Sequence, residues 1–200
     1  MHGLNIAQAK STDRAVVYGA GMIGLATLAA CFSKGIKEVV VVDVNESRLK
    51  KAKDMGGIPF NSAKGDLKEF LLKKFGGNLK NFGGQDVADV DLYIDTAGAK
   101  SIIPEVLNMG KGLSKLVIVA IYHHDVTISP VQFFNSEMQI RGSAAYQNED
   151  IIEVIKALEA KNTPIEQIIT HHYSLENIND AFIKTKDTNS ALKIVIDYEE

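Results

Sequence analysis

The chain has almost no cysteine. Its 200 residues include one, Cys31, and no tryptophan. A single thiol excludes an internal disulfide and is typical of proteins from a reducing compartment, so we expect a cytoplasmic protein. Cys31 follows Leu28, Ala29 and Ala30 in an apolar stretch, which indicates core packing rather than a reactive thiol.

The chain also lacks an excess of charge of either sign and any long apolar run. It carries 22 lysines and arginines against 25 aspartates and glutamates, a formal net charge of −3. This balance indicates neither nucleic acid nor an anionic membrane as a partner. No apolar run approaches the roughly 20 residues that cross a bilayer, and no basic stretch followed by an apolar run indicates a signal peptide. The apolar share of 46% is typical of one globular domain, or one and a fraction, with a buried core.

The most informative stretch is residues 16–43. Three glycines, Gly19, Gly21 and Gly24, follow an apolar run and precede a helical stretch. A second, β-branched run then ends at Asp43. The order is strand, tight turn, helix, strand and acid, and this is the pattern of a dinucleotide-binding turn.

Each residue of this pattern has a physical role. Gly19 permits a sharp turn out of the strand, Gly21 allows the backbone to approach a pyrophosphate, and Gly24 allows the helix to pack close to the sheet. The helix N-terminus offers free N–H groups and a partial positive charge to the phosphates. Asp43 can accept hydrogen bonds from the ribose hydroxyls of an adenosine and repels a 2′-phosphate, which predicts NAD(H) rather than NADP(H). A merely structural glycine turn is the alternative.

Strands and helices alternate along residues 14–145. This alternation predicts an α/β fold of Rossmann type, a doubly wound parallel sheet with right-handed crossovers and strand order 3-2-1-4-5-6. The second strand has no polar alternation, which indicates that helices cover both of its faces. The six predicted strands are residues 15–18, 39–42, 58–61, 91–95, 116–121 and 138–141.

Residues 146–200 follow a different pattern. Residues 149–160 have the periodicity of an amphipathic helix, and we expect four of its apolar residues to be buried, namely Ile151, Ile152, Ile155 and Leu158. Two later strands, at 168–173 and 192–196, do not continue the alternation and predict a second sheet. At the other end of the chain, residues 1–13 are predicted to be the tail of a helix that leads in from another domain.

Several motifs, taken together, point to one family. In chain order they are Gly-Ala-Gly-Met-Ile-Gly-Leu (19–25), Val-Val-Asp-Val-Asn-Glu-Ser-Arg (41–48), Asp-Thr-Ala-Gly (95–98), Arg-Gly-Ser-Ala-Ala-Tyr (141–146), Ile-Thr-His-His-Tyr-Ser-Leu (169–175), Ala-Phe (181–182) and Leu-Lys-Ile-Val-Ile (192–196). The chain resembles the zinc-dependent medium-chain alcohol and polyol dehydrogenases, near the butanediol, sorbitol and threonine dehydrogenases. The resemblance runs from about residue 10 to the end. It implies that residues 14–145 bind NAD(P) and that residues 146–200 form an α+β segment of the GroES-like catalytic domain.

The resemblance also implies which residues contact the cofactor. They are Gly19, Gly21, Met22, Ile23 and Gly24 at the pyrophosphate, Asp43 at the ribose, Arg48 beside the adenosine, Thr96 and Ala97 along the groove, Val119, Ala120 and Ile121 beside the nicotinamide ribose, Ala144 and Ala145 near the carboxamide, and Lys193, which can reach the pyrophosphate. Two positions depart from the family. Leu113-Ser114 stand where it usually has Gly-Gly, and Ala120 stands where it has a glycine, so a methyl group narrows the nicotinamide end.

The family transfers a hydride between a secondary alcohol and NAD, with zinc holding the alkoxide in the catalytic domain. That domain carries zinc-binding cysteine and a Gly-His-Glu segment, whereas this sequence has one cysteine and no Gly-His-Glu. The resemblance therefore implies NAD(H) as the cofactor of this chain, with zinc and a small alcohol or polyol substrate in the missing domain. It implies no catalytic residue, no metal ligand and no activity for the chain alone. A stand-alone, non-catalytic NAD-binding module is the alternative.

Other protein classes have signatures that can be compared with this sequence. A short-chain dehydrogenase needs Tyr-x-x-x-Lys, which does not occur here, and a serine hydrolase needs G-x-S-x-G, which Ser143 lacks. A methyltransferase also uses a glycine turn and an acid, and it remains open. The pairs His123-His124 and His171-His172 place neighbours on opposite faces of a strand, so neither pair indicates a metal clamp.

Strand six is predicted to be an edge of the sheet. It reads Met138-Gln139-Ile140-Arg141 without proline, so its unpaired N–H and C=O groups invite another strand. A two-fold axis would pair it with its own copy, and the family resemblance implies the same homodimer. The flanking charges of Glu137 and Arg141 leave a protected, monomeric edge as the alternative.

The roles of two further residues also stay open. Asp95 is a structural carboxylate or a ligand contact, and Arg48 is a cofactor contact or part of a solvated basic face.

Overall fold

The protein is described from a computed structural model that covers residues 1–76, 78–161, 163–187 and 189–198. Residues 162, 188, 199 and 200 of the predicted C-terminal segment lie outside the described residues. None of the helices that the described residues form combines the length and the apolar composition that a membrane span requires.

Six parallel strands form the central sheet. They are β1 Arg14–Tyr18, β2 Glu38–Asp43, β3 Ile58–Asn61, β4 Leu92–Asp95, β5 Lys115–Ile118 and β6 Gln139–Gly142. Their order across the sheet is β3-β2-β1-β4-β5-β6, which confirms the predicted doubly wound topology. The fifth strand ends three residues earlier than predicted, so Val119, Ala120 and Ile121 lie in the segment that follows it.

The helices that precede or connect the strands cover both faces of the sheet. They are α1 His2–Ile6, α2 Met22–Ser33, α3 Glu46–Asp54, α4 Leu67–Phe75, α5 Ile102–Met109 and α6 Pro130–Ser136. The neighbouring β1 residues Val16 and Val17 are both fully buried, yet they belong to two separate core clusters. Successive side chains of a strand point to opposite faces, so the sheet has a core on each side, as the unbroken apolar run of the second strand predicted.

The C-terminal segment builds a separate, two-stranded sheet. It contains α7 Asn148–Glu159, β7 Ile169–Ser174, α8 Ile178–Lys184 and β8 Lys193–Asp197, and β7 pairs with β8 in parallel. The prediction of a second sheet is therefore confirmed. One contact of the segment with the first sheet lies at α2, where Ile165 and Leu192 pack against the core cluster and the Thr163 hydroxyl donates to the Ala29 carbonyl at 3.2 Å.

The predicted burial of one face of α7 is wrong. Its four apolar residues, Ile151, Ile152, Ile155 and Leu158, are 42–52% exposed. The buried residue of α7 is instead Asp150, whose carboxylate accepts a hydrogen bond from Asn5 Nδ2 at 2.6 Å. The periodicity correctly indicated that Ile151 and Ile155 share a face, but among the described residues these two side chains line an open cavity rather than a packed layer.

Candidate functional site

The candidate site lies where the strand order reverses. The chain leaves β1 toward one side of the sheet and continues from β4 toward the other, so the loops after these two strands diverge. In open α/β sheets such a divergence forms a crevice at the carboxyl ends of the strands. Gly19–Gly21 follow β1 and Thr96–Gly98 follow β4, so both predicted segments meet at this crevice.

Two of the three glycines are required by the packing of the protein itself. Gly19 has φ +98°, and a Cβ built on it would lie 2.8 Å from the Thr96 Oγ1 atom. A Cβ built on Gly24 would lie 1.9 Å from the Gly19 carbonyl oxygen. Any side chain at position 24 would therefore force α2 away from the turn, which is the close helix packing that the sequence predicted.

Gly21 differs from the other two glycines. Its backbone is extended, with φ −74° and ψ −174°, and a Cβ built on it meets nothing within 4 Å in the described protein. It is the N-cap of α2 and, having no side chain, leaves the N–H groups of that end without a side-chain cap of its own. The adjacent side chains of Met22 and Ile23 are exposed. The open space beside Gly21 thus adjoins uncapped N–H groups, an arrangement that suits an anion.

Thr96 connects the two loops of the crevice. Its hydroxyl donates to the Tyr18 carbonyl at 2.6 Å, and its backbone N–H donates to the same oxygen at 3.0 Å. The end of β4 is thereby held against the end of β1 and against Gly19. Ala97, the next residue, is exposed at the crevice.

The Asp43 carboxylate is held at the same edge of the sheet. The Ala20 backbone N–H donates to its Oδ2 atom at 2.7 Å, while the N–H groups of Val44 and Asn45 donate to Oδ1 at 2.8 and 2.9 Å. The acid after β2 is therefore tied directly to the glycine turn after β1. Its orientation is thus set by three backbone N–H groups.

Asp95 is a structural carboxylate. The sequence had left this role and a ligand contact as the two alternatives. Asp95 is fully buried, and its Oδ1 atom accepts the N–H groups of Ala97 and Gly98 at 2.9 and 2.8 Å. Its Oδ2 atom accepts the Tyr122 hydroxyl. Burial, followed by this hydrogen bond, raises the pKa of Tyr122. The sequence analysis did not predict the contact between Asp95 and Tyr122. The available signal was weak: Tyr122 directly follows predicted strand five, which neighbours the strand of Asp95.

A large cavity of about 990 Å³ extends from the crevice between the ends of β5 and β6 and the helices α1, α2 and α7. Six predicted site residues line it, namely Ile23, Val119, Ala120, Ile121, Ala144 and Ala145. Ala145 has φ +56°, a left-handed conformation that tends to occur at functional sites. A Cβ built on Gly98 would lie 3.2 Å from the Ala120 methyl, which is therefore directed toward the loop after β4.

His2 and Asp150 also line this cavity, and their side chains lie 2.6 Å apart. The sequence had predicted neither of them as a site residue.

The two predicted basic residues lie outside the lining of this cavity. Arg48 is half-buried on α3, and Lys193 is exposed at the start of β8. Leu192 packs against the core cluster that includes α2, which holds the beginning of β8 beside that helix. The structure thus brings together the residues predicted for the turn, the acid and the nicotinamide end, while the side chains of Arg48 and Lys193 stand apart from the cavity.

The histidine pairs show no metal site. His172 Nδ1 lies 3.1 Å from both carboxylate oxygens of Asp197, and the His124 ring packs edge-on against Tyr122 with centroids 5.4 Å apart. Within the described part of the chain, no three side chains of His, Cys, Asp or Glu converge as a metal-binding group.

Comparison with known proteins gives a consistent result. A family profile described as zinc-binding dehydrogenase matches residues 23–160. The (R,R)-butanediol dehydrogenase of Neisseria gonorrhoeae is 31% identical over 192 residues, which cover 94% of this chain and 51% of that protein. The D-xylulose reductase of Scheffersomyces stipitis is 29% identical, with 100% and 55% covered. The sorbitol dehydrogenase of Ovis aries is 28% identical, with 92% and 49% covered. The chain spans about half the length of the curated relatives it matches.

Solved structures show the same fold. A protein of Escherichia coli CFT073, described as a short chain alcohol dehydrogenase complexed with NADH, superposes with a TM-score of 0.85 at 24% identity. The match covers 98% of this chain and 56% of that one. The 2R,3R-butanediol dehydrogenase of Bacillus subtilis superposes with a TM-score of 0.84 at 21% identity, covering 99% and 54%.

Proposed function

The chain belongs to the zinc-binding dehydrogenase family, and on that premise we propose that it is the NAD(H)-binding half of an alcohol or polyol dehydrogenase. The observation that carries the proposal is the Asp43 carboxylate, which the Ala20 N–H holds against the glycine turn at 2.7 Å. A fixed acid beside an uncapped helix N-terminus is suited to an adenosine ribose followed by a pyrophosphate. The NADH complex of a structural neighbour from Escherichia coli supports the choice of dinucleotide.

The hydrogen bonds that hold the Asp43 carboxylate favour NAD(H) over NADP(H). Three backbone N–H groups already occupy about three of the roughly four acceptor positions of this carboxylate. One position is left for a ribose hydroxyl. Discrimination therefore rests chiefly on charge, because a 2′-phosphate would face a carboxylate that is held in place and cannot turn away.

The remaining predicted residues serve the other parts of the cofactor. We assign the pyrophosphate to Gly19, Gly21, Met22, Ile23 and Gly24, with Lys193 approaching from β8. The loop of Thr96 and Ala97 forms the opposite wall of the groove, and Arg48 lies toward the adenosine. Val119, Ala120, Ile121, Ala144 and Ala145 offer an apolar surface to the nicotinamide end. The bound nicotinamide would supply the hydride chemistry, and these residues set the ring face that is presented.

Zinc is assigned to residues outside this chain. The described residues offer no converging donor set, so they do not fit a catalytic zinc site, which needs about three protein ligands. The names of the relatives, butanediol dehydrogenase, xylulose reductase and sorbitol dehydrogenase, support a small alcohol or polyol as the substrate of the whole protein. We expect the chain alone to turn over no alcohol.

A stand-alone NAD-binding module is the second candidate function. It is favoured by the same lack of a donor set among the described residues. Zinc analysis and alcohol turnover, measured on this chain and on any longer product of the same gene, separate the two. Turnover by a longer product would support the dehydrogenase, and the absence of any active longer product would support the module.

The proposal includes a homodimer and a cytoplasmic location. Among the described residues β6 pairs with β5 alone, which leaves one edge of the sheet open to a second copy. For the location, the supporting feature is Cys31, which is fully buried and whose thiol pKa burial raises to about 12. Such a thiol is unreactive and forms no disulfide, which agrees with a reducing compartment.

Titration of the chain with NADH and NADPH tests the main proposal. We expect clear preference for NADH, and Asp43→Asn, which removes the charge but keeps an acceptor oxygen, should reduce that preference. Asp43→Ala should weaken NADH binding by about 1–3 kcal/mol, as for a lost hydrogen bond to a charged group. Asp54→Asn, on an exposed carboxylate at the far end of α3, is the matched control. Equal affinities of the unaltered chain for NADH and NADPH would contradict the proposal.

A further inference from the structure

Asn189 connects the C-terminal segment to the candidate cofactor site. It lies between α8 and β8, beyond the residues that the family profile matches. The Asn45 side chain donates from Nδ2 to Asn189 Oδ1 at 2.9 Å, and the Ser47 hydroxyl donates to the Asn189 backbone carbonyl at 2.9 Å. Two groups at the beginning of α3 are thus bonded to one residue of a distant segment.

Asn45 in turn bonds to the ribose acid. Its backbone N–H donates to Asp43 Oδ1 at 2.9 Å, and its side-chain oxygen accepts the Arg48 N–H at 3.1 Å as the N-cap of α3. Both ends of the Asn45 amide are therefore occupied, one by the helix and one by Asn189. This leaves the side chain a single orientation and restrains the backbone that orients the Asp43 carboxylate.

Asn189 is itself held by its own loop. The Asp187 carboxylate accepts the Ser190 hydroxyl at 2.6 Å and pairs with Lys184 Nζ at 2.9 Å, and it also accepts the backbone N–H of Asn189 at 3.2 Å. These bonds, those from Ser190 and Lys184 first, lower the pKa of Asp187. On the other side, Leu192 packs against the core cluster on the α2 face of the sheet. The loop is anchored at both ends and can therefore transmit a restraint.

From these contacts we propose that Asn189 is a positioning residue for the adenosine ribose. It holds Asn45, and through Asn45 it holds the Asp43 carboxylate in the orientation that accepts a ribose hydroxyl and repels a 2′-phosphate. The inference rests on the proposed function, because it presumes that an adenosine ribose reaches Asp43. It gives the C-terminal segment a part in cofactor selection, separate from that of Lys193.

The first test is Asn189→Ala, titrated with NADH, NADPH, AMP and nicotinamide mononucleotide. Loss of a neutral hydrogen bond predicts about two- to tenfold weaker binding of NADH and AMP. The mononucleotide lacks the adenosine and should bind unchanged. The ratio of NADPH to NADH dissociation constants should fall, whereas a merely structural loss would lower the melting temperature and leave that ratio unchanged.

Two further variants make the test specific. Asn45→Ser keeps an N-cap oxygen for α3 but loses the donor to Asn189, so it should reproduce the effect of Asn189→Ala. The double variant should be no weaker than either single variant, because both remove the same bond. Asn177→Ala is the control, since that exposed amide donates to the Ser174 hydroxyl at the opposite end of α8 from Asn189.

Amide hydrogen exchange of the ligand-free chain gives an independent readout. The N–H groups of Val44 and Asn45 donate to Asp43 Oδ1, so Asn189→Ala should speed their exchange. Unchanged exchange together with unchanged NADH and NADPH affinities would overturn the inference. If the unaltered chain binds neither NADH nor AMP, the proposed function fails and the cofactor role of Asn189 fails with it. If it binds both and Asn189→Ala changes neither affinity nor their ratio, the inference alone fails.

Discussion

The backbone N–H of Ala20 donates a hydrogen bond to Asp43 Oδ2 at 2.7 Å. Ala20 lies in the glycine turn after β1, and Asp43 is the last residue of β2. The bond joins the two parts of the dinucleotide pattern that are separated by a whole helix in the sequence. It means that the turn and the acid form one rigid unit, so a change in either should alter the other.

The three glycines should respond differently to the addition of a methyl group. Gly24→Ala places its Cβ 1.9 Å from the Gly19 carbonyl oxygen, so we expect a loss of about 3 kcal/mol or more in the free energy of unfolding. Gly21→Ala meets nothing within 4 Å among the described residues and should change that free energy by less than about 1 kcal/mol. Urea denaturation measures both effects.

The same pair of variants separates folding from binding. If a pyrophosphate lies against Gly21, then Gly21→Ala should weaken NADH binding by about tenfold or more while the fold persists, a loss of ~1.4 kcal/mol. Native-like NADH affinity in a folded Gly21→Ala chain would place the pyrophosphate elsewhere.

Replacement of Leu113 with glycine should stabilise the folded protein. It stands where the family usually has Gly-Gly, it has φ +65°, and its side chain is 65% exposed. Relief of the left-handed strain, about 1–2 kcal/mol, exceeds the entropy that a glycine adds to the unfolded chain, about 0.4–1 kcal/mol. Leu113→Gly should therefore raise the free energy of unfolding by about 0.5–1 kcal/mol. Leu113→Ala retains the strain and is the control, and an equal gain in both variants would contradict this explanation.

The junction of α1 and α7 should loosen in acid. The backbone N–H of Gln147 and the side chains of Asn5 and His2, in that order of effect, lower the pKa of Asp150. Because the folded pKa is below the unfolded value of about 3.9, this stabilisation is present above pH ~4 and is lost as the pH falls through the folded value. Amide exchange of α7 should accelerate over that range. In Asp150→Asn the same exchange should already be fast at neutral pH, and an unchanged pH profile in that variant would exclude Asp150 as the cause.

A dimer through β6 should be sensitive to proline at one position. The Gln139 N–H donates to the carbonyl of Ser114, the residue before β5, at 3.0 Å, and the Ser143 N–H donates to that of Ile118, the last residue of β5, at 2.8 Å. Because successive N–H groups of a strand alternate in direction, the N–H of Ile140 points to the open edge. Ile140→Pro removes that donor, and a β6 dimer should dissociate in light scattering. Ile140→Ala loses a similar amount of packing but keeps the donor, so it should remain dimeric. A dimer that survives the proline would place the contact elsewhere, and an unaltered chain that is monomeric would end the proposal.

Much of the candidate site was predictable because its residues act locally. Gly19 and Gly24 are needed for a turn and a helix that are continuous in the sequence, and Asp43 ends the very next strand. Parallel strands joined by right-handed crossovers then bring these ends to one edge of the sheet. The sequence predicted that Thr96 lies along the groove but not that its hydroxyl donates to the Tyr18 carbonyl. That bond joins the ends of two strands, at residues 78 positions apart in the sequence.

The limits of the sequence are clearest in α7. Its spacing showed that Ile151 and Ile155 share a face, and that is correct, but periodicity contains no information about what covers a face. The same holds for Leu113, a residue with no turn preference that adopts a left-handed conformation in the turn before β5, where its N–H donates to the Ser136 carbonyl at 3.1 Å.

The sequence by itself determined the topology of the six-stranded sheet, the glycine turn and the acid, since these follow from local pattern and from the fixed handedness of the chain. Only the tertiary structure decided that the Asp95 carboxylate accepts a hydrogen bond from Tyr122 and that Asn189 is bonded to the beginning of α3. Such contacts join side chains from distant segments. Their partners are set by the packing of whole layers, which no window of the sequence contains.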